Sequence, residues 1–323
     1  MSHALTVTKT GGTDVLTLTP QEQPTPGAGE VVVEVAASGV NFIDVYQREG
    51  RYPMDLPFTL GMEGAGTVVA AGEGVTEPAV GDVVAWAMKV GSAATYAVVP
   101  ADRTAPVPDG VDPVVAAAAM LQGMTAHFLV NSTYEAGPDT VALVHAAAGG
   151  VGQLLVQMLK AKGATVIATA GGPEKCETAR ARGADAVIDY NAVDDLAAAV
   201  REAAGRGVDV AYDGVGAATF DASLASLRPR GLLVIFGAAS GAVPPFDVQR
   251  LNTGGSLYVT RPTLGNYIAD RDELLWRAGE VLDAVKDGSL DIAIGGRYTL
   301  SDAGAAYDAL EGRATQGKLV LLP

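Results

Sequence analysis

Thr140-Val141-Ala142-Leu143-Val144-His145-Ala146-Ala147-Ala148-Gly149-Gly150-Val151-Gly152 is an apolar run that breaks into a turn of small residues. The stretch from Val151 to Lys162 then reads as a helix. Ala147 to Gly152 fit the A-x-G-x-x-G variant of the dinucleotide fingerprint. Small residues let the backbone approach a pyrophosphate, and the helix N-terminus that follows meets its charge. A Gly-rich turn alone is as often plain structure as a binding loop. This one follows a buried strand, opens a helix, and starts a long alternation.

Downstream, strands are predicted at Thr165 to Ala170, Ala186 to Asp189, Val208 to Asp213, Leu232 to Phe236 and Leu257 to Thr260. Helices fall between them at Glu174 to Ala181, Val193 to Ala203 and Phe220 to Leu227. This alternation describes an α/β, doubly wound parallel sheet of the Rossmann type. Upstream, Val31 to Val35, Gly66 to Ala70 and Tyr96 to Val99 are short strands punctuated by Gly and Pro, a mostly β domain. Helical residues from Val114 to Leu129 lead from one pattern to the other. After two tail helices, Glu273 to Lys286 and Ala303 to Glu311, Lys318 to Leu322 is a strand able to return to the β domain. The expected division is 1–121 with 263–323, and 122–262.

A chain of 323 residues predicts two domains at about 150 residues each. With 49% apolar residues and 18% charged, a large core is attainable and wholesale disorder is excluded. The net charge of −15 repels phosphate backbones and anionic lipid, which argues against nucleic acid or a membrane surface as partner. Cys176 is the only cysteine, so neither an internal disulfide nor a Cys-based structural zinc site can form. Met1 to Thr10 lacks the pattern of a secretory signal, and the apolar run Val114 to Met120 is too short to span a bilayer. A cytoplasmic protein is expected.

The second strand of the alternation selects the dinucleotide. NAD sites place an acid at its end for the ribose 2′-OH. Here it ends Ala170-Gly171-Gly172-Pro173, followed by Glu174 and Lys175. The missing acid and the nearby ammonium favour a 2′-phosphate, hence NADPH. In the competing arrangement Glu174 turns inward and Lys175 is a solvated helix residue.

Several stretches are more specific. Asn41-Phe42-Ile43-Asp44, Gly61-Met62-Glu63-Gly64-Ala65-Gly66, His145 to Gly152, Gly255 to Pro262 and Arg313 to Lys318 occur in order along the chain. In these the sequence resembles the zinc-independent quinone oxidoreductase branch of the medium-chain dehydrogenase/reductase superfamily. The resemblance implies a GroES-like catalytic domain, a Rossmann domain and a cofactor cleft between them. It implies a homodimer through the strand at 255–261; the bland alternative is a shielded edge strand. It implies pyrophosphate contacts at Gly149, Gly150 and Val151, beside the Gly171-Gly172 turn. Lys175, Tyr190 and Arg313 would meet the 2′-phosphate. Asn41 and Tyr46 would lie by the nicotinamide, with Phe236, Gly237, Ala238, Ser240, Gly241 and Arg261 lining its other side. Gly214 stands where relatives may carry Ser, so a side-chain contact is lost there.

Zinc-dependent relatives hold the metal where this chain has Asn41, Met62 and Gln122, a donor set without thiolate or imidazole. His3, His127 and His145 read as structural. Without a Lewis acid the acceptor must itself take hydride readily, as a quinone does. Asn41, Tyr46 and Tyr52 are the catalytic candidates. The two phenols are able to donate to a carbonyl oxygen or to shelve a flat ring, and packing or gating is the plainer reading. Water is an equal candidate for proton delivery. Reduction of activated C=C bonds such as enones, or NADPH binding without catalysis, are the alternative functions.

Overall fold

In the computed structural model of the chain, residues 2–312 and 315–323 are described. Arg313 lies outside them. The chain divides into two compact units, Met1–Met124 with Tyr267–Pro323, and Thr125–Asn266.

The first unit is mostly β. Its larger sheet runs Ile294–Thr299, Lys318–Leu322, Glu30–Val40, Glu63–Ala71, Val83–Ala87, Ala105–Pro106, with Tyr96–Pro100 also paired to Glu30–Val40. The pairs are antiparallel except Ile294–Thr299 with Lys318–Leu322. Val31, Val33 and Val35 bury one face against Val84, Trp86 and Val99. Each such side chain contributes about 1.5–3 kcal/mol on burial. A second, three-stranded sheet, Leu16–Pro20, His3–Val7 and Phe58–Thr59, shares a core with Val45, Tyr307 and Leu319. The C-terminal strand does return to the N-terminal sheet: Leu319 opposes Val40 and Leu321 opposes Ser38. That pairing brings Lys318, at the start of the strand, to Asn41.

The second unit is a six-stranded, wholly parallel sheet. Its order is Ala186–Asp189, Thr165–Ala170, Val141–Val144, Val208–Asp213, Leu227–Ile235, Tyr258–Thr260. This is a doubly wound Rossmann sheet, with chain order reversing between Val141–Val144 and Val208–Asp213. Leu143, Ile167, Ala211 and Leu233 form the core under Phe220 and Leu224. The fifth strand starts at Leu227 rather than Leu232. Its register shifts, and Arg230 adopts a left-handed φ of 61°. The helix before it therefore ends at Ser226.

Among the described residues one helical stretch, Pro113–Thr133, has 21 residues and is long and apolar enough to cross a membrane by length and composition. This corrects the expectation drawn from Val114 to Met120 alone. Of its most apolar window, 72% is buried inside the protein, as in a core helix.

Candidate active site

In the second unit the nominated residues gather at the carboxyl edge of the sheet, because every strand of a parallel sheet ends on the same side. After Val144 the chain turns through Ala146, held at a φ of 50°, and Gly149 N donates to the Ala146 carbonyl at 2.8 Å. Gly150 opens the helix Gly150–Ala161. A Cβ on Gly152 would lie 2.8 Å from Ala147 Cα and would also meet the Ala146 carbonyl oxygen, so only glycine lets helix and turn close together. Gln153, missed by the sequence reading, locks the turn: its Nε2 donates to the Ala148 carbonyl at 2.8 Å and its Oε1 accepts from Arg182 Nε at 2.7 Å. The resulting cradle of small residues at a helix N-terminus suits a pyrophosphate.

The next strand ends at the Gly171-Gly172 turn, where Gly172 has a φ of 86°. Asp189, at the end of the neighbouring strand, accepts from Gly172 N and Asn191 N through Oδ1, both at 3.0 Å. These bonds hold its carboxyl below the usual range. The acid at the end of this neighbouring strand is therefore committed to the backbone. Tyr190 projects over Gly171 and is 46% exposed. Glu174 is exposed and Lys175 half-buried in the first turn of Pro173–Ala181. Lys175 and Tyr190 thus flank one turn.

Asp213 organises the loops after the fourth and fifth strands. Its Oδ1 accepts from Val215 N, Gly216 N and Thr219 Oγ1 at 2.8–2.9 Å, and Oδ2 accepts from Ser223 Oγ at 2.9 Å. His145 completes this network between Thr169 Oγ1 (2.9 Å) and Ser223 Oγ (3.0 Å). Burial pushes its pKa down. Ser240 ties the loops together, accepting from Ala218 N at 3.0 Å and donating to the Val215 carbonyl at 2.8 Å. Gly214 is where the Phe236 ring lies, because a Cβ there would sit 2.8 Å from Phe236 Cε2. Gly237 likewise packs directly on Gly214, and Ala238 accepts from Gly241 N at 2.9 Å. Arg261 is exposed and donates to the Ile235 carbonyl at 3.3 Å.

In the first unit, Asn41 caps the helix Phe42–Arg48, which the sequence reading did not assign. Asn41 N donates to Asp44 Oδ2 at 2.9 Å, and Tyr307 OH donates to the same oxygen at 3.0 Å. Burial pushes the Asp44 carboxyl up to about 7. One turn on, Tyr46 is buried and meets the exposed Tyr52 edge to face, with centroids 5.4 Å apart. Arg51 covers the Tyr46 ring at 5.6 Å. The structure therefore brings the two nominated phenols together.

Asn41 also belongs to a buried polar cluster with Glu63 and Lys318. Neither charged residue was nominated, although both lie in the motifs quoted above. Of the residues standing where zinc relatives bind metal, Asn41 is occupied by this cluster and Met62 Sδ accepts from Gln47 Nε2 at 3.2 Å. Among the described residues no three His, Cys, Asp or Glu side chains group to hold a metal. Amide and thioether donors do not fit Zn²⁺.

Residues 150–276 match the family model of the zinc-binding dehydrogenases, and residues 27–109 that of the alcohol dehydrogenase GroES-like domain. The chain is 43% identical over 320 residues to a quinone oxidoreductase of Salmonella typhimurium, covering 98% of each chain. It is 39% identical to a 2-haloacrylate reductase of a Burkholderia species, over 100% of this chain and 99% of the relative. A mycobacterial protein solved in complex with NADPH superposes with a TM-score of 0.96 at 49% identity, covering the whole of both chains.

Proposed function

The chain belongs to the quinone oxidoreductase branch of the medium-chain dehydrogenase/reductase superfamily, and on that premise we propose that it reduces quinones with NADPH and without a metal. It is an oxidoreductase whose cofactor is NADPH. The observation that carries the metal-free reading is the donor set Asn41, Met62 and Gln122. With no thiolate or imidazole to hold a Lewis acid, an ordinary ketone would lack roughly several kcal/mol of oxyanion stabilisation. A quinone becomes aromatic on two-electron reduction, so the driving force resides in the acceptor.

When bound, NADPH supplies the hydride. The chain's residues hold and aim it. Gly149, Gly150 and Val151 would present backbone N–H groups to the pyrophosphate, and Gly171 with Gly172 would keep the neighbouring wall low. Lys175 and Tyr190, with Arg313, would take the 2′-phosphate. Phe236, Gly237, Ala238, Ser240, Gly241 and Arg261 would line the nicotinamide, together with Asn41 and Tyr46. Tyr46 and Tyr52 would shelve the flat acceptor, and Tyr52 OH would donate to the carbonyl oxygen that gains charge and then a proton.

A second reading, reduction of an activated C=C bond, is supported by the full-length similarity to a 2-haloacrylate reductase. A panel of quinones, enones and halogenated acrylates, followed by NADPH absorbance, separates the two. The reading predicts the highest kcat/KM for a quinone, and an acrylate or enone above every quinone overturns it. The family reading also makes this a cytoplasmic homodimer joined through residues 255–261. In support, Tyr258 on the edge strand Tyr258–Thr260 is 60% exposed.

A further inference from the structure

The two ends of an Asn carboxamide have nearly the same shape, so packing alone seldom decides which is oxygen. At Asn41 charge decides it. Lys318 has only donors, and its Nζ donates to Asn41 Oδ1 at 2.7 Å. The Glu63 carboxylate has only acceptors, and its Oε1 takes Asn41 Nδ2 at 2.7 Å. The second Nδ2 hydrogen faces the Gly39 carbonyl at 3.3 Å.

Lys318 and Glu63 also pair directly, with 2% and 0% of their side chains exposed. Glu63 Oε2 is fixed by Leu121 N at 2.6 Å. Gly39 makes the room, since a Cβ there would lie 2.7 Å from Glu63 Cγ. A buried ion pair is a poor source of stability, because desolvation offsets most of its attraction. What it provides here is orientation.

We propose that the Lys318–Glu63 pair is a positioning device that locks the Asn41 carboxamide with both N–H groups spent, leaving one Oδ1 lone pair as its free capacity. Asn41 then acts toward bound NADPH or acceptor as an acceptor alone. It takes a hydrogen bond from a hydroxyl or amide N–H, and donates none to the carbonyl oxygen being reduced. This rests on the reading that puts Asn41 at the nicotinamide.

The test is the full-length double variant Lys318→Met/Glu63→Gln. It leaves no lone buried charge. The carboxamide introduced by Glu63→Gln accepts from Leu121 N only by presenting its own NH₂ to Asn41, which turns the Asn41 amide over. With one hydrogen bond at the reacting end reversed, kcat falls about tenfold or more. The KM for quinone moves less, and the melting temperature stays near the parent's. A folded double variant with kcat within about twofold of the parent's overturns the inference. Should it not fold, the parent's structure with bound NADPH is read instead: a cofactor hydroxyl or amide N–H in hydrogen-bond reach of Asn41 Oδ1 supports the inference, and Asn41 Nδ2 turned from Glu63 to the cofactor overturns it. A parent that neither binds NADPH nor reduces quinone overturns the functional reading and this inference together. An active parent with an equally active variant overturns the inference alone.

Discussion

The Tyr190 phenol lies so close to Gly171 that a Cβ at that glycine would sit 2.6 Å from the tyrosine Cζ. The strand end at Ala170 and the strand end at Asp189 are thereby closed onto each other, with Lys175 one helical turn away. Gly171→Ala displaces the phenol and weakens NADPH. With Lys175 in its proposed place at the 2′-phosphate, Lys175→Ala would remove a charge-assisted contact of about 1.5–3 kcal/mol and weaken NADPH about 10–100-fold. NADH, which has no 2′-phosphate, changes little. Fluorescence titration with both cofactors checks this, and equal losses place Lys175 elsewhere.

Metal independence predicts that activity survives prolonged chelation and that elemental analysis finds less than one zinc per chain. Activity lost to a chelator and restored by Zn²⁺ would mean that Asn41, Met62 and Gln122 are not the whole of the donor set.

Asp44 gives a pH signature in stability. Its folded pKa of about 7 lies above the ordinary carboxylate value because it is buried. Between about pH 4 and 7 the unfolded chain releases this proton while the folded protein keeps it. The contribution is therefore intact below pH 4 and lost as pH rises to 7, a cost of about 4 kcal/mol at neutrality. Asp44→Asn keeps an acceptor for Asn41 N and Tyr307 OH but does not ionise. Denaturant melts should show the variant gaining on the parent as pH rises from 5 to 7.5, and a constant difference would contradict the assignment.

Tyr52 separates chemistry from shape. If its hydroxyl stabilises the reduced oxygen, Tyr52→Phe lowers quinone turnover by about 1–3 kcal/mol, roughly 5–150-fold, with NADPH affinity unchanged. If the ring only packs on Tyr46, the Phe variant stays within about twofold. Steady-state kinetics with one quinone and one enone decide between them.

The parallel sheet was legible because Val141–Val144, Thr165–Ala170 and Val208–Asp213 are short, Val-rich and largely apolar runs between Gly turns. The start of Leu227–Ile235 was hidden, since Arg228-Pro229-Arg230-Gly231 reads as a turn. In the fold Arg228 is pinned by Asp209, and Arg230 absorbs the bend in a left-handed conformation. The helix Phe42–Arg48 spans only seven residues, too few to display a helical period. Gly149, Gly150 and Gly152 could be nominated because their spacing is local. The Lys318–Glu63–Asn41 cluster could not, because its members lie 255 and 277 residues from Lys318 along the chain and meet only through the C-terminal strand. Beyond the motifs that contain its members, a lone Lys before an apolar run was the sign.

The central claim, direct metal-free hydride transfer from NADPH to a quinone, is tested most directly by single turnover of chelator-treated enzyme. NADPH is compared with the same cofactor carrying deuterium at the transferred C4 position. The account predicts one NADPH oxidised per quinone reduced, slower with deuterium, at a rate unchanged by added Zn²⁺. Turnover that is indifferent to deuterium across the quinone panel, or absent until Zn²⁺ is supplied, would contradict it.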